Sequence, residues 1–156
     1  MKILVDADAC PVKQIIEEVA MDLKIPVTMI IDTSHELFSN YSTIVQVSKA
    51  PDAVDVALFN RTNAGDIVVT GDYGVATMVL GKKAYAINHN GRFYTNNNID
   101  FLMYERHVAK KMRNAGVKSC SIKRRTKEDD LRFREGFLRL CHIALRNESS
   151  MNETSI

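Results

Sequence analysis

Short apolar segments alternate with segments of helical periodicity over the first 87 residues, and this alternation limits the fold more than any other feature. Strands buried on both faces are continuously apolar, and parallel strands need a crossover between them. The predicted strands are residues 2–6, 27–31, 44–47, 67–69 and 83–87. Alternating strands and helices are typical of a parallel sheet covered on both faces. We therefore predict an α/β fold, a three-layer sandwich around a parallel sheet of about five strands, with further helices at the C-terminal end.

Segments with helical periodicity or helix-capping residues lie between these strands and after them. Apolar residues recur at helical spacing over residues 12–23, after Pro11 at a position suited to the first turn. Residues 126–129 resemble a capping box with Asp in place of Glu. The predicted helices are residues 11–23, 52 to about 65, 73–80, 98–114 and 127–146, and the predicted loops are residues 32–42 and 88–97. Residues 1–146 are expected to form one domain, and the polar residues 147–156 a disordered tail.

The composition is that of a small globular domain in a reducing compartment. With 156 residues, 46% of them hydrophobic and 26% charged, the chain can form one folded domain. No apolar run approaches the ~20 residues of a membrane span, and the first residues lack the apolar stretch of a signal peptide. Cys10, Cys120 and Cys141 have no metal-type spacing and are expected as free thiols. We expect a cytoplasmic protein with no membrane contact.

Charge is distributed unevenly along the chain. Residues 1–105 contain 8 Lys/Arg and 13 Asp/Glu, whereas residues 106–146 contain 13 Lys/Arg and 4 Asp/Glu. A basic segment of this kind attracts polyanions, so a nucleic acid, RNA in particular, is the expected partner. A pair of solvated basic helices explains the same charges without a partner. Aromatic residues are few, at 7% of the chain, which argues against sequence-specific reading of bases.

Four aspartates follow predicted strands or open a predicted helix at one edge of the sheet. Ligands of parallel sheets bind outside the carboxyl ends of the strands, where acids from distant segments meet. Carboxylates held together need a cation between them, and hard oxygen ligands suit Mg²⁺ or Mn²⁺. Such ions activate water and hold a phosphate for attack. The candidate metal ligands and catalytic residues are Asp6, Asp8, Asp55 and Asp72.

Every one of these acids except Asp6 also has a structural explanation. Asp72 and Asp52 occupy positions suited to helix N-caps, and Asp55 occupies one suited to the helix dipole. Asp8 could accept hydrogen bonds from turn amides before the helix. Asp6 ends an apolar strand with no helix beginning beside it, so a structural role is harder to assign.

Cys10 lies next to Pro11 at the predicted start of a helix, where the pKa of a thiol tends to fall. A reactive cysteine is one interpretation of this position. A plain helix N-cap is preferred, because no histidine or second cysteine lies nearby in the sequence.

Four stretches of the sequence resemble the bacterial YaiI/YqxD family, which is largely uncharacterised and related to PIN-like domains. They are residues 6–13, residues 65–74, Tyr94-Thr95-Asn96, and Arg106-His107 with Lys110 and Arg113. The resemblance covers about residues 1–140. The chain departs from the family at residues 119–123, where Gly-Pro-Lys is common, and at Gly71, where a Gln is expected.

The resemblance implies a PIN-like fold, and many PIN-like domains are Mg²⁺- or Mn²⁺-dependent ribonucleases. It places the acids of such domains on Asp6, Asp55 and the Thr70-Gly71-Asp72 stretch, and it makes Asp8 a feature of the family. The candidate substrate-binding residues are Thr70, Arg106, His107, Lys110, Arg113, Lys123, Arg124 and Arg125. On a helix, positions 106, 110 and 113 share a face and could position a nucleic-acid backbone.

The chain could also associate with a second copy of itself as a homodimer. Three functions are compatible with these patterns. The leading hypothesis is a metal-dependent nuclease that hydrolyses phosphodiester bonds of RNA. The second is a non-catalytic RNA-binding or regulatory module that uses the acids as helix caps. The third is a phosphatase similar to haloacid dehalogenases, with Asp6 as nucleophile. That family expects Thr or Val where Cys10 stands and a further acid shortly after Asp72, so this hypothesis ranks last.

Overall fold

The computed structural model describes residues 1–116 and 124–154. Strands and helices alternate along most of these residues. The strands are β1 (Ile3–Asp6), β2 (Val27–Asp32), β3 (Thr43–Val47), β4 (Ile67–Val69), β5 (Tyr85–Ile87) and β6 (Phe93–Tyr94). The helices are α1 (Lys13–Leu23), α2 (Ala53–Arg61), α3 (Tyr73–Gly81), α4 (Ile99–Asn114) and α5 (Lys127–Thr154).

The strands form one sheet in the order β3-β2-β1-β4-β5-β6. The first five strands are parallel, and β6 pairs with β5 in the antiparallel direction. Ile3 of β1 lies opposite Val27 on one side and Ile67 on the other, so apolar residues fill the centre of the sheet. The predicted parallel α/β sheet is confirmed. The prediction of a loop over residues 88–97 missed β6, a two-residue strand that makes the sheet six-stranded.

Two apolar cores, one on each face of the sheet, make the fold a three-layer sandwich, as predicted. Successive residues of a strand point to opposite faces. Ile3 and Val5 belong to the core that α1 and α5 cover, whereas Leu4 belongs to the core that α2, α3 and α4 cover. Phe133 and Phe137 of α5 stack in the first of these cores, with ring centroids 5.2 Å apart. All residues of β1 before Asp6 are therefore buried.

The order of the strands creates a crevice at the carboxyl ends of β1 and β4. From β1 the chain runs outward through β2 and β3, and it returns to the other side of β1 as β4. The helices that follow β1 and β4 lie on opposite faces of the sheet. Open α/β sheets bind ligands at such a switch point. Asp6 ends β1 and Thr70 directly follows β4, so both lie at this crevice.

The loop between β5 and β6 packs closely against α5 beside the crevice. A Cβ atom added at Gly136 would lie 2.5 Å from the carbonyl oxygen of Gly91, so glycine is required for this approach of two backbones. Arg125 donates from Nη2 to the carbonyl oxygen of His89 (2.6 Å) and from Nη1 to Oδ1 of Asn90 (3.2 Å). These contacts give the loop a fixed position.

The two ends of α5 confirm one prediction and correct another. The amide of Thr126 donates to Oδ2 of Asp129 (2.9 Å), and the amide of Asp129 donates to the Thr126 hydroxyl (3.3 Å), which is the predicted capping box. The predicted disordered tail is wrong for residues 147–154, because α5 includes all of them. The ammonium group of Met1, a residue whose side chain is almost fully buried, pairs with Glu148 at 2.7 Å and holds this last part of the helix.

Other predicted boundaries agree with the structure to within a few residues. Helix α1 begins at Lys13 with Val12 as its N-cap, so Pro11 precedes the first turn rather than opening it. Helix α2 ends at Arg61, several residues before Gly65.

Two expectations about the environment of the protein can be compared with the described residues. No helix in residues 1–116 and 124–154 is both long and apolar enough to cross a membrane. Cys10 and Cys141 are buried free thiols, as expected. Cys120 lies outside the described part of the chain.

Candidate active site

Asp6 lies in the crevice at the end of β1, where its side chain is partly buried. The Thr70 hydroxyl donates to Oδ2 of Asp6 (3.2 Å). Burial raises the pKa of the Asp6 carboxyl to about 6. The hydrogen bond from Thr70 acts in the opposite direction, and the negative charges of Asp55, Asp8 and Asp72 raise the pKa further. The carboxylate form of Asp6 is therefore less favourable than that of an ordinary aspartate, and nearby positive charge would favour it.

Thr70 connects Asp6 to Asp72. It is fully buried after β4, and its hydroxyl also accepts a hydrogen bond from the amide of Asp72 (3.0 Å). The Tyr94 hydroxyl donates to the Thr70 carbonyl oxygen (3.3 Å). The predicted substrate contact of Thr70 is wrong, because its side chain has no exposed surface. Thr70 instead holds the two acids in position.

Asp72 is the N-cap of α3, as its structural explanation predicted. Its Oδ1 accepts hydrogen bonds from the amides of Gly74 (2.8 Å) and Val75 (3.2 Å). Within the described residues Oδ2 of Asp72 makes no hydrogen bond, and Asp72 lines the cavity at the crevice. The side chain can therefore cap the helix and still present an oxygen to the crevice.

Asp8 interacts with the end of β2 rather than with the turn amides predicted for it. Its Oδ1 accepts from the amide of Asp32 (3.1 Å) and lies 3.1 Å from Nδ1 of His35. Among the described residues, only Asp8, Asp32 and His35 bring three metal-ligating atoms within 4.8 Å of one another. Sequence analysis missed this group, because His35 lies on the loop after β2, and the sequence does not specify the position of that loop beside Asp32, the last residue of β2.

Asp55 lies in the first turn of α2, where the helix dipole favours an acid. Burial, followed by the charges of Asp72 and Asp52, raises the pKa of the Asp55 carboxyl. Since Asp72 acts on Asp55 and Asp55 acts on Asp6, α2 begins close to the same crevice. Asp52 occupies the N-cap position with a φ of 63°, but its side chain makes no capping hydrogen bond, so the cap predicted for Asp52 is wrong.

Three of the four predicted acids meet in one open cavity of about 300 Å³. The cavity is lined by Asp6, Asp8, Ala9, Gly71, Asp72, His89 and Arg106. Asp55 does not line it, although its charge acts on Asp6. The convergence of the acids that follow β1 and β4 is therefore as the sequence predicted, with Asp55 at the periphery.

His89 is a residue of this cavity that sequence analysis missed. Its Nε2 atom is buried and has no hydrogen-bond partner in the described part of the chain. Burial lowers the pKa of the imidazole, and the charge of Arg125 acts in the same direction. A Cβ atom at position 71 would lie 3.4 Å from the imidazole, so Gly71 leaves space beside it. The Asn/Gly-rich sequence around His89 predicts a loop but not its place in the fold.

Helix α4 carries the predicted basic residues along one side of the cavity. Arg106 lines the cavity, and its guanidinium carbon lies 5.5 Å from the centre of the Tyr73 ring. Arg106 also lines a second cavity together with His107 and Lys110. Arg113 lies in the last turn of α4. The basic face predicted for this helix thus begins at the acid-lined cavity.

The three basic residues predicted between α4 and α5 differ in what they do. Arg125 pairs with Asp130 (2.7 Å) and also holds the loop between β5 and β6, so its guanidinium group is engaged within the protein. Arg125 therefore has a structural role, and its predicted phosphate contact stays a prediction. Arg124 is exposed, and Lys123 lies outside the described residues.

Cys10 is a buried thiol rather than a reactive one. Only 5% of its surface is exposed, and burial raises the pKa of its thiol. A raised pKa disfavours the thiolate, which is the nucleophilic form. Val12 rather than Cys10 is the N-cap of α1, so the preferred interpretation is also wrong. Cys10 belongs to the core that α1 covers.

The acids of the cavity fit Mg²⁺ or Mn²⁺ by their chemistry. Carboxylate oxygens are the hard ligands that both ions prefer. Asp6, Asp8 and Asp72 are spaced more widely than three ligands of one ion, since they do not bring three ligating atoms within 4.8 Å. Mg²⁺ usually takes one or two carboxylates and keeps several waters. The observed spacing therefore suits an ion that retains part of its hydration shell.

Several known proteins are similar to this chain over most of its length. The family model described as "Uncharacterized BCR, YaiI/YqxD family" matches residues 4–142. The UPF0178 protein of Lachnoclostridium phytofermentans is 54% identical over 156 residues, which is 98% of this chain and 95% of the relative. The UPF0178 protein of Ruminiclostridium cellulolyticum is 55% identical over 138 residues, 88% of this chain and 90% of the relative. That of Clostridium acetobutylicum is 55% identical over 142 residues, 90% of this chain and 96% of the relative.

At a stringent significance threshold, no solved structure matches the chain. The relation to PIN-like domains therefore stays a prediction. The family match spans every residue that lines the cavity at the carboxyl ends of β1 and β4. The resemblance inferred from the residues is thereby confirmed, and the chain belongs to the YaiI/YqxD family.

Proposed function

We propose that this protein is a metal-dependent nuclease that hydrolyses phosphodiester bonds of RNA in the bacterial cytoplasm. One observation carries the proposal: acids from the ends of two neighbouring strands and an arginine from α4 line the same open cavity. Clustered carboxylates favour a cation between them, and an arginine beside them favours an anion. A phosphate that binds next to a divalent cation satisfies both requirements.

The acids of the cavity would bind the metal, and the arginine would bind the substrate. Asp6, Asp8 and Asp72 would hold a partly hydrated Mg²⁺ or Mn²⁺, one or two of them as direct ligands and the rest through water, and Asp55 would add negative charge from the periphery. When bound, the ion would supply an activated water and neutralise charge on the phosphate. Arg106 would donate hydrogen bonds to phosphate oxygens, for which its planar guanidinium group is suited.

The charges of α4 support RNA as the substrate. From Arg106 onward this helix carries Arg106, Lys110 and Arg113 on one face, and none of them forms an ion pair within the described residues. Unpaired cations next to an acid-lined cavity can bind the phosphates on either side of a reacting one. Such binding weakens steeply as salt is added.

The proposal is tested with single-stranded RNA and Mn²⁺, with and without EDTA, on the purified full chain. The wild type should cleave only when metal is present. Asp6→Asn should lose at least the roughly 10–100-fold that loss of a group around a metal site costs. Asp22→Asn is the matched control, because Asp22 is exposed near the end of α1 and does not line the cavity. Equal behaviour of all three proteins, or cleavage that persists in EDTA, would contradict the proposal.

A non-catalytic RNA-binding protein is the second candidate, because Asp72 does cap α3. In that case the acids have structural roles and the basic face of α4 acts alone. RNA would bind with a steep salt dependence, EDTA would not change the affinity, and no cleavage would follow. The same set of samples therefore separates the two candidates.

A further inference from the structure

The second cavity, of about 260 Å³, opens directly beside the acid-lined one, and Arg106 belongs to both. It is lined by Tyr73, Gly74, Met103, Arg106, His107 and Lys110. The two cavities therefore form a continuous surface that is acidic at the edge of the sheet and basic along α4. A ligand that extends from the first cavity along α4 must pass over the second.

Tyr73 gives the second cavity an aromatic wall in a fixed position. It is the first residue of α3, directly after Asp72, so its distance from the acids is set by the backbone. Its ring meets the Tyr94 ring edge-on with centroids 5.7 Å apart, and the Arg106 guanidinium lies against it. Gly74 beside it contributes no side chain that could cover the ring. An aromatic ring held in this way can stack on any nucleobase, because every base has a flat face.

Arg106 and Lys110 make the second cavity basic. None of its six lining residues is acidic. Arg106, His107 and Lys110 are exposed and form no ion pair among the described residues. Aromatic and cationic groups side by side are the combination that binds single-stranded nucleic acids, since the ring takes the base and the cations take the phosphate.

We propose that the second cavity binds the nucleotide next to the scissile phosphate, with the base against Tyr73 and Met103 and the phosphate against Lys110. This inference rests on the proposed function and adds the substrate class, a single strand. Bases of a duplex stay stacked on their neighbours, whereas unpaired bases can turn outward onto a protein ring. A duplex therefore cannot use the ring of Tyr73.

Lys110 and Lys111 provide a matched pair for the test. They are neighbours in α4 and both are exposed, but only Lys110 lines the second cavity. Binding of a fluorescent six-nucleotide RNA is followed by anisotropy in EDTA at several salt concentrations. Lys110→Gln should lower the slope of log affinity against log salt by about 0.7, the loss of one single-strand phosphate contact. Lys111→Gln should leave the slope unchanged.

A second variant tests the aromatic wall. Tyr73→Leu keeps an apolar side chain against Tyr94 but removes the ring, and it should weaken binding roughly 5- to 150-fold, the range that corresponds to one stacked base. An RNA duplex of the same length should bind the wild type and this variant equally. Equal slopes for the two lysine variants, or a duplex that binds as tightly as the single strand, would overturn the inference.

The outcomes also separate this inference from the proposed function. Single-strand binding as expected, with no cleavage after Mn²⁺ is added, would refute the nuclease and leave the nucleotide site standing. Cleavage that depends on Mn²⁺ and Asp6, with equal slopes for the lysine variants, would refute the nucleotide site alone.

Discussion

Replacement of Asp6 by Asn should stabilise the metal-free protein at neutral pH, although it removes a hydrogen-bonded carboxylate. The pKa of the Asp6 carboxyl rises from its ordinary 3.8 to about 6, mainly because of burial and to a smaller extent because of the charges of Asp55, Asp8 and Asp72. Asn has no charge to bury or repel. Its side-chain oxygen can still accept the hydrogen bond from Thr70.

The expected gain follows from the pKa difference between the folded and unfolded states. A shift from 3.8 to about 6 corresponds to about 3 kcal/mol at 1.36 kcal/mol per unit. Because Asp6 is only partly buried and salt screens the neighbouring acids, we expect a measured gain of about 1–3 kcal/mol.

The gain depends on pH in a direction that can be worked out. A raised pKa means that folded Asp6 holds its proton more tightly than unfolded Asp6, so its contribution to the free energy of unfolding is fully present below pH 3.8. This contribution is lost as the pH rises through about 6. Asp6→Asn should therefore match the wild type near about pH 4 and exceed it increasingly up to about pH 7.

Urea denaturation in EDTA, repeated across this pH range, measures the difference directly. Asp22→Asn, at an exposed position, controls for the chemical change from Asp to Asn. With Mn²⁺ at 100 times its dissociation constant, the wild type should gain about 2.7 kcal/mol, and Asp6→Asn should gain much less. If Asp6→Asn is less stable than the wild type at neutral pH in EDTA, the Thr70 hydrogen bond outweighs burial and repulsion, and our reasoning about the crevice is wrong.

Two further substitutions test the packing of the fold by urea denaturation. Gly136→Ala should destabilise the protein by about 1–3 kcal/mol, because the new Cβ would lie 2.5 Å from the Gly91 carbonyl oxygen. Gly81→Ala is the control and should be neutral or stabilising, because its new Cβ would have nothing within 4 Å. A stabilising effect of Gly136→Ala would refute the close contact. Asp66→Asn should lower the free energy of unfolding by about 3 kcal/mol, because Asp66 is 3% exposed and pairs with Lys2 at 2.7 Å. A change within about 0.5 kcal/mol, as at ordinary surface sites, would contradict a stabilising role for this ion pair.

The central part of the fold was predictable because its strands are buried on both faces. Residues 67–69 contain only Ile and Val, and the predicted strand agrees with β4 residue for residue. β6 was missed because it has only two residues and lies at the edge of the sheet. Asn90-Gly91 before it is a dipeptide common in hairpin turns, so a signal for the antiparallel pair was present.

The last eight residues of α5 gave no comparable signal. They are polar and lack the periodicity of a buried helix face, so the sequence predicted a tail. Two tertiary contacts hold them: Glu148 pairs with the Met1 ammonium group, and Asn147 donates to the Tyr85 hydroxyl (2.6 Å). Both partners are distant in sequence, and local pattern alone cannot indicate them.

The residues of the candidate site also differ in whether the sequence could predict them. Asp6 and Asp72 follow strands that are neighbours in the sheet, so their meeting follows from the strand order of a parallel fold. His89 enters the cavity on a loop whose position depends on Arg125 and on the glycine contact with α5. Residues at strand ends were therefore predictable from the sequence. Residues on loops whose position depends on tertiary packing were not.

The structural and the metal-binding explanations of the acids do not exclude each other. Asp72 uses only Oδ1 to cap α3, and carboxylates that bind metals are commonly held by hydrogen bonds of this kind. A cap at Asp72 therefore does not exclude a metal at the same side chain. Asp6 is the residue that discriminates, because among the described residues its carboxylate accepts a hydrogen bond only from Thr70, while burial and three other acids disfavour its charge. If Asp6→Asn stabilises the metal-free protein as expected, the natural carboxylate is kept at a cost in stability, and this result would support the proposed function that needs its charge.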